Sequence, residues 1–231
     1  MTVRHQAPLP MEIAPGCYAI DNFLGAWCYL LTGASNLIVD TGVPGRASAI
    51  LRALARIGVA PTGVDHIVLT HFDLDHSGSA VALAAHTGAP IIIHEADAPY
   101  LATPEACPRL RAALYFPLIT WLLRWHRPSE VTLVREGDML GDWQVLHTPG
   151  HTPGSITLHR DDILVVGDAI VHRGGRLREN APWLATNLAE QRASARRLAT
   201  IDARVVLPGH YSPSADPTAI RKLRQWLARQ E

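Results

Sequence analysis

Cysteine is scarce in this chain of 231 residues: Cys17, Cys28 and Cys107 stand far apart, with no CxxC pair. That argues against a disulfide framework and a thiolate zinc site, and it fits a reducing compartment. An excess of either charge is also lacking. Lysine plus arginine and aspartate plus glutamate each number 21, so electrostatics gives no case for a nucleic-acid or anionic-membrane partner. No apolar run reaches the roughly 20 residues that a bilayer span needs. The most apolar stretch, 113–125, is interrupted by Pro117 and Arg124. Residues 1–16 lack the apolar core of a signal peptide. Repeats of solenoid type, low-complexity tracts and Gly/Ser linkers are missing too. These absences predict one domain over residues 1–231, soluble and cytoplasmic. Methionine and phenylalanine number three each, whereas histidine numbers twelve. The informative question is where the histidines stand.

Along the chain, "CYAI" (17–20), "WCYLLT" (27–32) and "NLIVD" (36–40) read as strands, being rich in aromatic and β-branched residues. The stretch 44–58 carries apolar positions at helical spacing, with Gly58 placed to end it. "HIVLT" (66–70) and "PIIIH" (90–94) read as buried strands. They flank a helix over 77–88, with Ser77 or Ser79 as its cap and Gly88 as its stop. Residues 95–127 form a helical, proline-punctuated region. Strands then resume at 131–134, 143–148, 155–160 and 162–168, followed by helix 188–201, strand 203–210 and helix 216–230. Two β-rich halves with helices outside predict a layered α/β arrangement. Strand order stays open.

Five stretches share one design, an apolar run closed by a metal-competent residue: "LIVDTG" (Asp40), "IVLTHFDLDH" (His71, Asp73, Asp75, His76), "VLHTPGHTPGS" (His151), "ILVVGD" (Asp168) and "VVLPGH" (His210). A sheet holds the end of a strand rigidly, and the adjoining Gly/Pro turn leaves it open to a cleft, as a metal centre requires. Imidazole nitrogen and carboxylate oxygen suit zinc and similar ions. One turn cannot aim His71, Asp73, Asp75 and His76 at a single ion without strain. On an extended turn alternate side chains diverge, so two ions served by two subsets is the easier arrangement.

Asp40, "THFDLDH", "GHTPGS", "GD" and "PGH", in that order over about 170 residues, resemble the metallo-β-lactamase superfamily of metallohydrolases. The resemblance implies a four-layer αββα sandwich with two divalent metal ions, zinc foremost, at one edge. It further implies that His71, Asp73 and His151 hold the first ion, that Asp75, His76 and His210 hold the second, and that Asp168 bridges. Asp40 is then the residue that orients ligands or loop backbone. The family pattern is H-x-H-x-D-H, and Asp73 stands where the second histidine is expected. A further carboxylate lowers the positive charge of the site, makes the first ion less electrophilic and admits harder ions such as iron or manganese. The related flavodiiron proteins also carry a carboxylate there.

The resulting expectation is a cytoplasmic enzyme that hydrolyses an ester, thioester or lactone of a small molecule by attack of a metal-held hydroxide, with Asp75 or the water itself managing the proton. No GxSxG elbow points to an acyl-enzyme. Two other readings stay open: an iron-dependent oxidoreductase of the same fold, and a non-catalytic metal-binding sensor. His172, four residues after Asp168, reads equally as a cleft residue that donates a proton and as a surface histidine. The other histidines (His5, His66, His86, His94, His126, His147 and His159) read as structural or solvent-exposed. Gly150, Pro153 and Gly154 read as the loop that presents His151. Arg173, Arg176 and Arg178 read as a solvated loop, with steering of an anionic substrate as the alternative. Residues 115–125 read as a core helix, the alternative being an apolar lid or the surface of a homodimer.

Overall fold

The computed structural model describes residues 10–24, 26–103 and 125–229. The first sheet has seven strands in sequential order: β1 (Met11–Ala14), β2 (Cys17–Phe23), β3 (Ala26–Leu31), β4 (Leu37–Val39), β5 (His66–Val68), β6 (Ile91–His94) and β7 (Thr132–Val134). From β1 to β4 neighbours run antiparallel, and from β4 to β7 parallel. The parallel pairs β4–β5 and β5–β6 are crossed by α1 (Ala47–Ile57) and by α2 (Leu74–Ser77) with α3 (Ala80–Thr87); α4 (Ala98–Ala102) follows β6.

The second sheet joins β8 (Met139–Leu140), β9 (Trp143–His147), β10 (Ile156–Arg160), β11 (Ile163–Gly167) and β14 (Val205–Pro208), with β11 and β14 parallel. Its helices are α5 (Leu188–Thr200) and α6 (Ala219–Leu227). A separate hairpin pairs β12 (Ile170–Arg173) with β13 (Arg176–Glu179).

Side-chain alternation sorts the strands' apolar residues into layers. Leu30, Ile38 and Ile67 point to the face that packs Ile50, Leu54 and Leu83 of α1 and α3. Their neighbours Tyr29, Leu31, Val39 and Val68 point the other way, onto Trp143, Val145, Leu158 and Val165 of the second sheet. The far face of that sheet, through Leu146, Leu164 and Val166, buries Leu198, Ile220 and Leu223 of α5 and α6. Each sheet is covered on both sides, which is why its strands are near-continuous apolar runs. The layers run helix, sheet, sheet, helix, the architecture that the resemblance implies.

Several local readings need correction. Ser79 stands at the N-cap position of α3 as expected, but its hydroxyl makes no capping bond: Ser79 Oγ donates to Val43 O and accepts from Arg46 N, each at 2.8 Å, while Ser77 Oγ donates to Phe72 O and Asp73 O. The carbonyls of the preceding segments take those hydroxyls instead. Gly88 does end the helix, in the left-handed conformation. Arg173, Arg176 and Arg178 lie on the β12–β13 hairpin and not in a loop. Its two-residue turn is Gly174–Gly175, both at positive φ, as a type I′ turn demands. Of the stretch 115–125 only Trp125 is described, buried in the first core cluster; the remainder and Cys107 lie outside the described residues. Cys17 and Cys28 are buried free thiols. Among the described residues no helix is long and apolar enough to cross a membrane.

Candidate metal centre

All five metal-competent stretches end at one edge, where the two sheets meet. β4 delivers Asp40 and its parallel neighbour β5 delivers Thr70 and His71. β9 leads to His151, β11 to Asp168, and β14, parallel to β11, to His210. The first sheet also holds the last loop directly. Tyr29 Oη donates to Pro208 O at 2.7 Å, Trp27 N to Gly209 O at 2.8 Å and Trp27 Nε1 to Tyr211 O at 2.9 Å. His210 is therefore pinned from both flanks.

The 70–78 turn is not extended, as its sequence suggested. Residues 74–77 close one turn of α-helix, so His71 and Asp73 precede it while Asp75 and His76 lie within it. The two pairs diverge because the chain changes from strand exit to helix, not because side chains alternate. His76 N and Ser77 N donate to Asp73 O, and Thr41 N and Oγ1 reach His76 O, which locks the turn.

The structure brings together seven of the nine sequence-selected site residues. Ligand-type atoms lie within 4.8 Å of one another in three groups: His71, Asp73 and His151; Asp75, His76 and His210; His71, His76 and Asp168. Asp168 Oδ2 stands 3.4 Å from His151 Nε2 and 3.6 Å from His210 Nε2, and its Oδ1 is 3.7 Å from His76 Nε2, which places it between the first two groups. Asp73 Oδ2 is 3.2 Å from His151 Nε2 and 3.4 Å from His71 Nε2. Asp75 Oδ2 is 3.2 Å from His210 Nε2.

The other two selected residues stand apart from these groups. Asp40 lies behind them: its carboxylate accepts from Thr70 N, Thr70 Oγ1 and His76 Nδ1, each at 2.8 Å. It adopts the left-handed conformation (φ 59°) that Asp tolerates better than most residues. His172, on β12, turns its Nδ1 to Ser212 O and Oγ and joins none of the three groups.

Burial alone would depress His76; the Asp40, Asp75 and Asp168 carboxylates override that and push its imidazole up to about 10. Burial likewise works against ionisation of Asp168, yet His210, His151 and His76 hold its carboxyl well below the usual range. Asp75, for which packing also opposes ionisation, is held low by His76 and His210. Negative charge crowded into a buried site draws cations, protons or metal ions alike. Two further observations favour a metal. His71 Nε2 and Asp168 Oδ1 are buried without a hydrogen-bond partner. In addition, the Nε2 atoms of His76 and His210 face each other at 3.3 Å. Position 209 has room only for glycine, since a Cβ there would run into Asp168 Oδ1 and His76 Cε1. Imidazole nitrogens mixed with carboxylate oxygens suit zinc, manganese and iron.

Two residues at the site escaped the sequence reading. Asn180, after β13, donates from Nδ2 to Asp168 Oδ2 and to Asp168 O at 3.2 Å. Asp97 is fully buried, and its carboxylate accepts from Phe72 N, Thr152 Oγ1 and Gly154 N. Burial pushes its carboxyl up to about 6 against those bonds. Its one signal was "IIIHEAD", another apolar strand closed by polar residues. Above the cluster opens a cleft of about 490 Å³, walled by Leu24, Leu184, Tyr211 and Asn180, and among the described residues no lysine or arginine lines it.

A family model for the metallo-beta-lactamase superfamily matches residues 21–210. A probable metallo-hydrolase of Bacillus subtilis is 32% identical over 149 residues, covering 59% of this chain and 56% of its own length. A hydroxyacylglutathione hydrolase of Xylella fastidiosa is 32% identical over 232 aligned positions, covering 93% of this chain and 73% of that protein. The crystal structure of a metallo-beta-lactamase family protein from Thermus thermophilus superposes with a TM-score of 0.74 at 25% identity, covering 95% of this chain and 80% of that one. The chain spans 56% and 63% of the length of two Bacillus subtilis relatives that it matches.

Proposed function

The chain belongs to the metallo-β-lactamase superfamily, and from that premise we propose that it is a metal-dependent hydrolase of a small carbonyl ester, thioester or lactone. The observation that carries this reading is the meeting of two three-residue ligand groups, with Asp168 between them, on the floor of an open cleft. His71, Asp73 and His151 would hold one ion, Asp75, His76 and His210 a second, and Asp168 would reach both. Two divalent ions such as zinc would supply Lewis-acid polarisation of a carbonyl and acidification of water.

The chain's own residues do the rest. Asp40 fixes the His76 ring and the Thr70 backbone that precedes His71, and so orients two of the proposed ligands. Asn180 Nδ2 turns the Asp168 carboxylate by one hydrogen bond. Asp75, with 39% of its side chain exposed, is the most open carboxylate of the cluster and is placed to accept a proton from the cleft. Leu24, Leu184 and Tyr211 offer apolar walls to an acyl group, and a cleft of about 490 Å³ suits a small molecule. The hydrolase similarity of the Xylella fastidiosa relative supports the thioester among these classes.

Asp73→Ala and His151→Ala should each lower both bound metal and turnover, read by elemental analysis and initial rates. Unchanged turnover in both would sink the hydrolase reading. Asp73 favours one second reading: its carboxylate suits iron, and iron in the purified protein together with oxygen uptake would make the chain an oxidoreductase.

A further inference from the structure

Asp97 belongs to none of the ligand groups, yet it touches the backbone on both sides of the first one. It follows β6 and stands at the start of α4, with no exposed surface. One oxygen, Oδ2, accepts from Phe72 N at 3.1 Å and from Thr152 Oγ1 at 2.7 Å; the other, Oδ1, accepts from Gly154 N at 2.5 Å. Phe72 lies between His71 and Asp73, and Thr152 follows His151. A single carboxylate thus joins the first-sheet turn that carries two members of the first group to the second-sheet loop that carries the third. Its own position is fixed by its N–H, which donates to His94 O at 2.9 Å. Thr152 Oγ1 and N also meet Ser155 Oγ, so the hydroxyl that Asp97 receives is already oriented.

We propose that Asp97 is the positioning residue of the first ligand group: it sets the distance between the His71–Asp73 turn and His151, and through that distance the affinity of the ion they hold. The inference rests on the metal-dependent reading above. Three donors converge on two oxygens, and an amide cannot replace the carboxylate. In Asp97→Asn one of the two positions becomes an NH2 group facing another donor, which releases one side of the clamp. The second ligand group, on α2 and the 209–211 loop, has no bond to Asp97.

The test is a calorimetric titration of the chelator-stripped full chain with zinc(II). His151→Ala identifies the equivalent that belongs to the first group. Asp97→Asn should weaken that equivalent by at least about tenfold and leave other zinc binding unchanged. In an Asp73→Ala background, Asp97→Asn should add little. A residue that merely stabilised the fold would lower the melting temperature and spare the selectivity. Wild-type zinc affinity in folded Asp97→Asn, or equal weakening of all zinc binding, would overturn the proposal. Should Asp97→Asn fail to fold, Thr152→Val removes one bond of the clamp. It must then show the same selective weakening, and wild-type affinity there would overturn the proposal as well. If the wild-type protein bound no zinc, manganese or iron, the metal-dependent reading itself would fail.

Discussion

At Asp40 the division between holding an ion and holding its ligands is plain. Its carboxylate spends both oxygens on Thr70 and on His76 Nδ1 and faces away from the ligand atoms. Removing it would leave the His76 ring and the Thr70 amide without their partner, while every proposed ligand remains. Asp40→Ala should therefore cost about 10–100-fold in metal affinity with little change in metal stoichiometry at saturation; a zinc titration against a competing chelator reads this out. Loss of an entire equivalent would make Asp40 a ligand instead. The cluster residues were legible because each ends an apolar run, and their order is that of a family. Asp97 and Asn180 were not legible as site residues: Asp97 acts through three hydrogen bonds to segments 25 to 57 residues away and Asn180 through bonds to Asp168, 12 residues back, and beyond the strand end at "IIIHEAD" local apolar patterning does not encode such contacts. His172 shows the converse, since proximity to Asp168 in sequence did not bring it to the cluster.

Between elements, the ends of β6 and β9 meet through an imidazole stack. The His94 and His147 rings lie 4.0 Å apart and are nearly parallel, at 9°. Burial, with the His147 ring adding to it, depresses His94 to about 4, and its Nδ1 accepts from Ala96 N. A base with a depressed folded-state pKa stays neutral in the fold, while the unfolded chain takes up a proton below its ordinary value near 6.5. The contribution of His94 to stability is thus full above pH 6.5 and is lost as pH falls toward 4. Urea midpoints at pH 7.5 and pH 5 should drop more for the wild type than for His94→Phe; equal drops would contradict the assignment. Most elements were legible because both sheets are covered on both faces, which leaves unbroken apolar strands. The β12–β13 hairpin was missed: its exposed positions are Arg173, Arg176 and Arg178, so only the Gly174–Gly175 pair announced it.

Across the molecule, periodicity predicts a layered α/β arrangement and the family resemblance implies its αββα order, but the site follows from strand order. The parallel pairs β4–β5 and β11–β14 bring Asp40 beside Thr70 and Asp168 beside His210. Packing of the two sheets then sets these two ends against each other. Such pairings join segments tens of residues apart, and apolar alternation is blind to them. The helical turn at 74–77 is a smaller case, in which a tertiary lock from Thr41 decided a conformation that local pattern left open. The function proposed above makes this edge a metal-dependent hydrolytic site. The most direct measurement is the initial rate of the stripped and the zinc- or manganese-reloaded full chain on a panel of esters, thioesters and lactones. Hydrolysis of at least one class, lost on stripping and restored on reloading, is the predicted result. Fully loaded protein inert across the whole panel would contradict it.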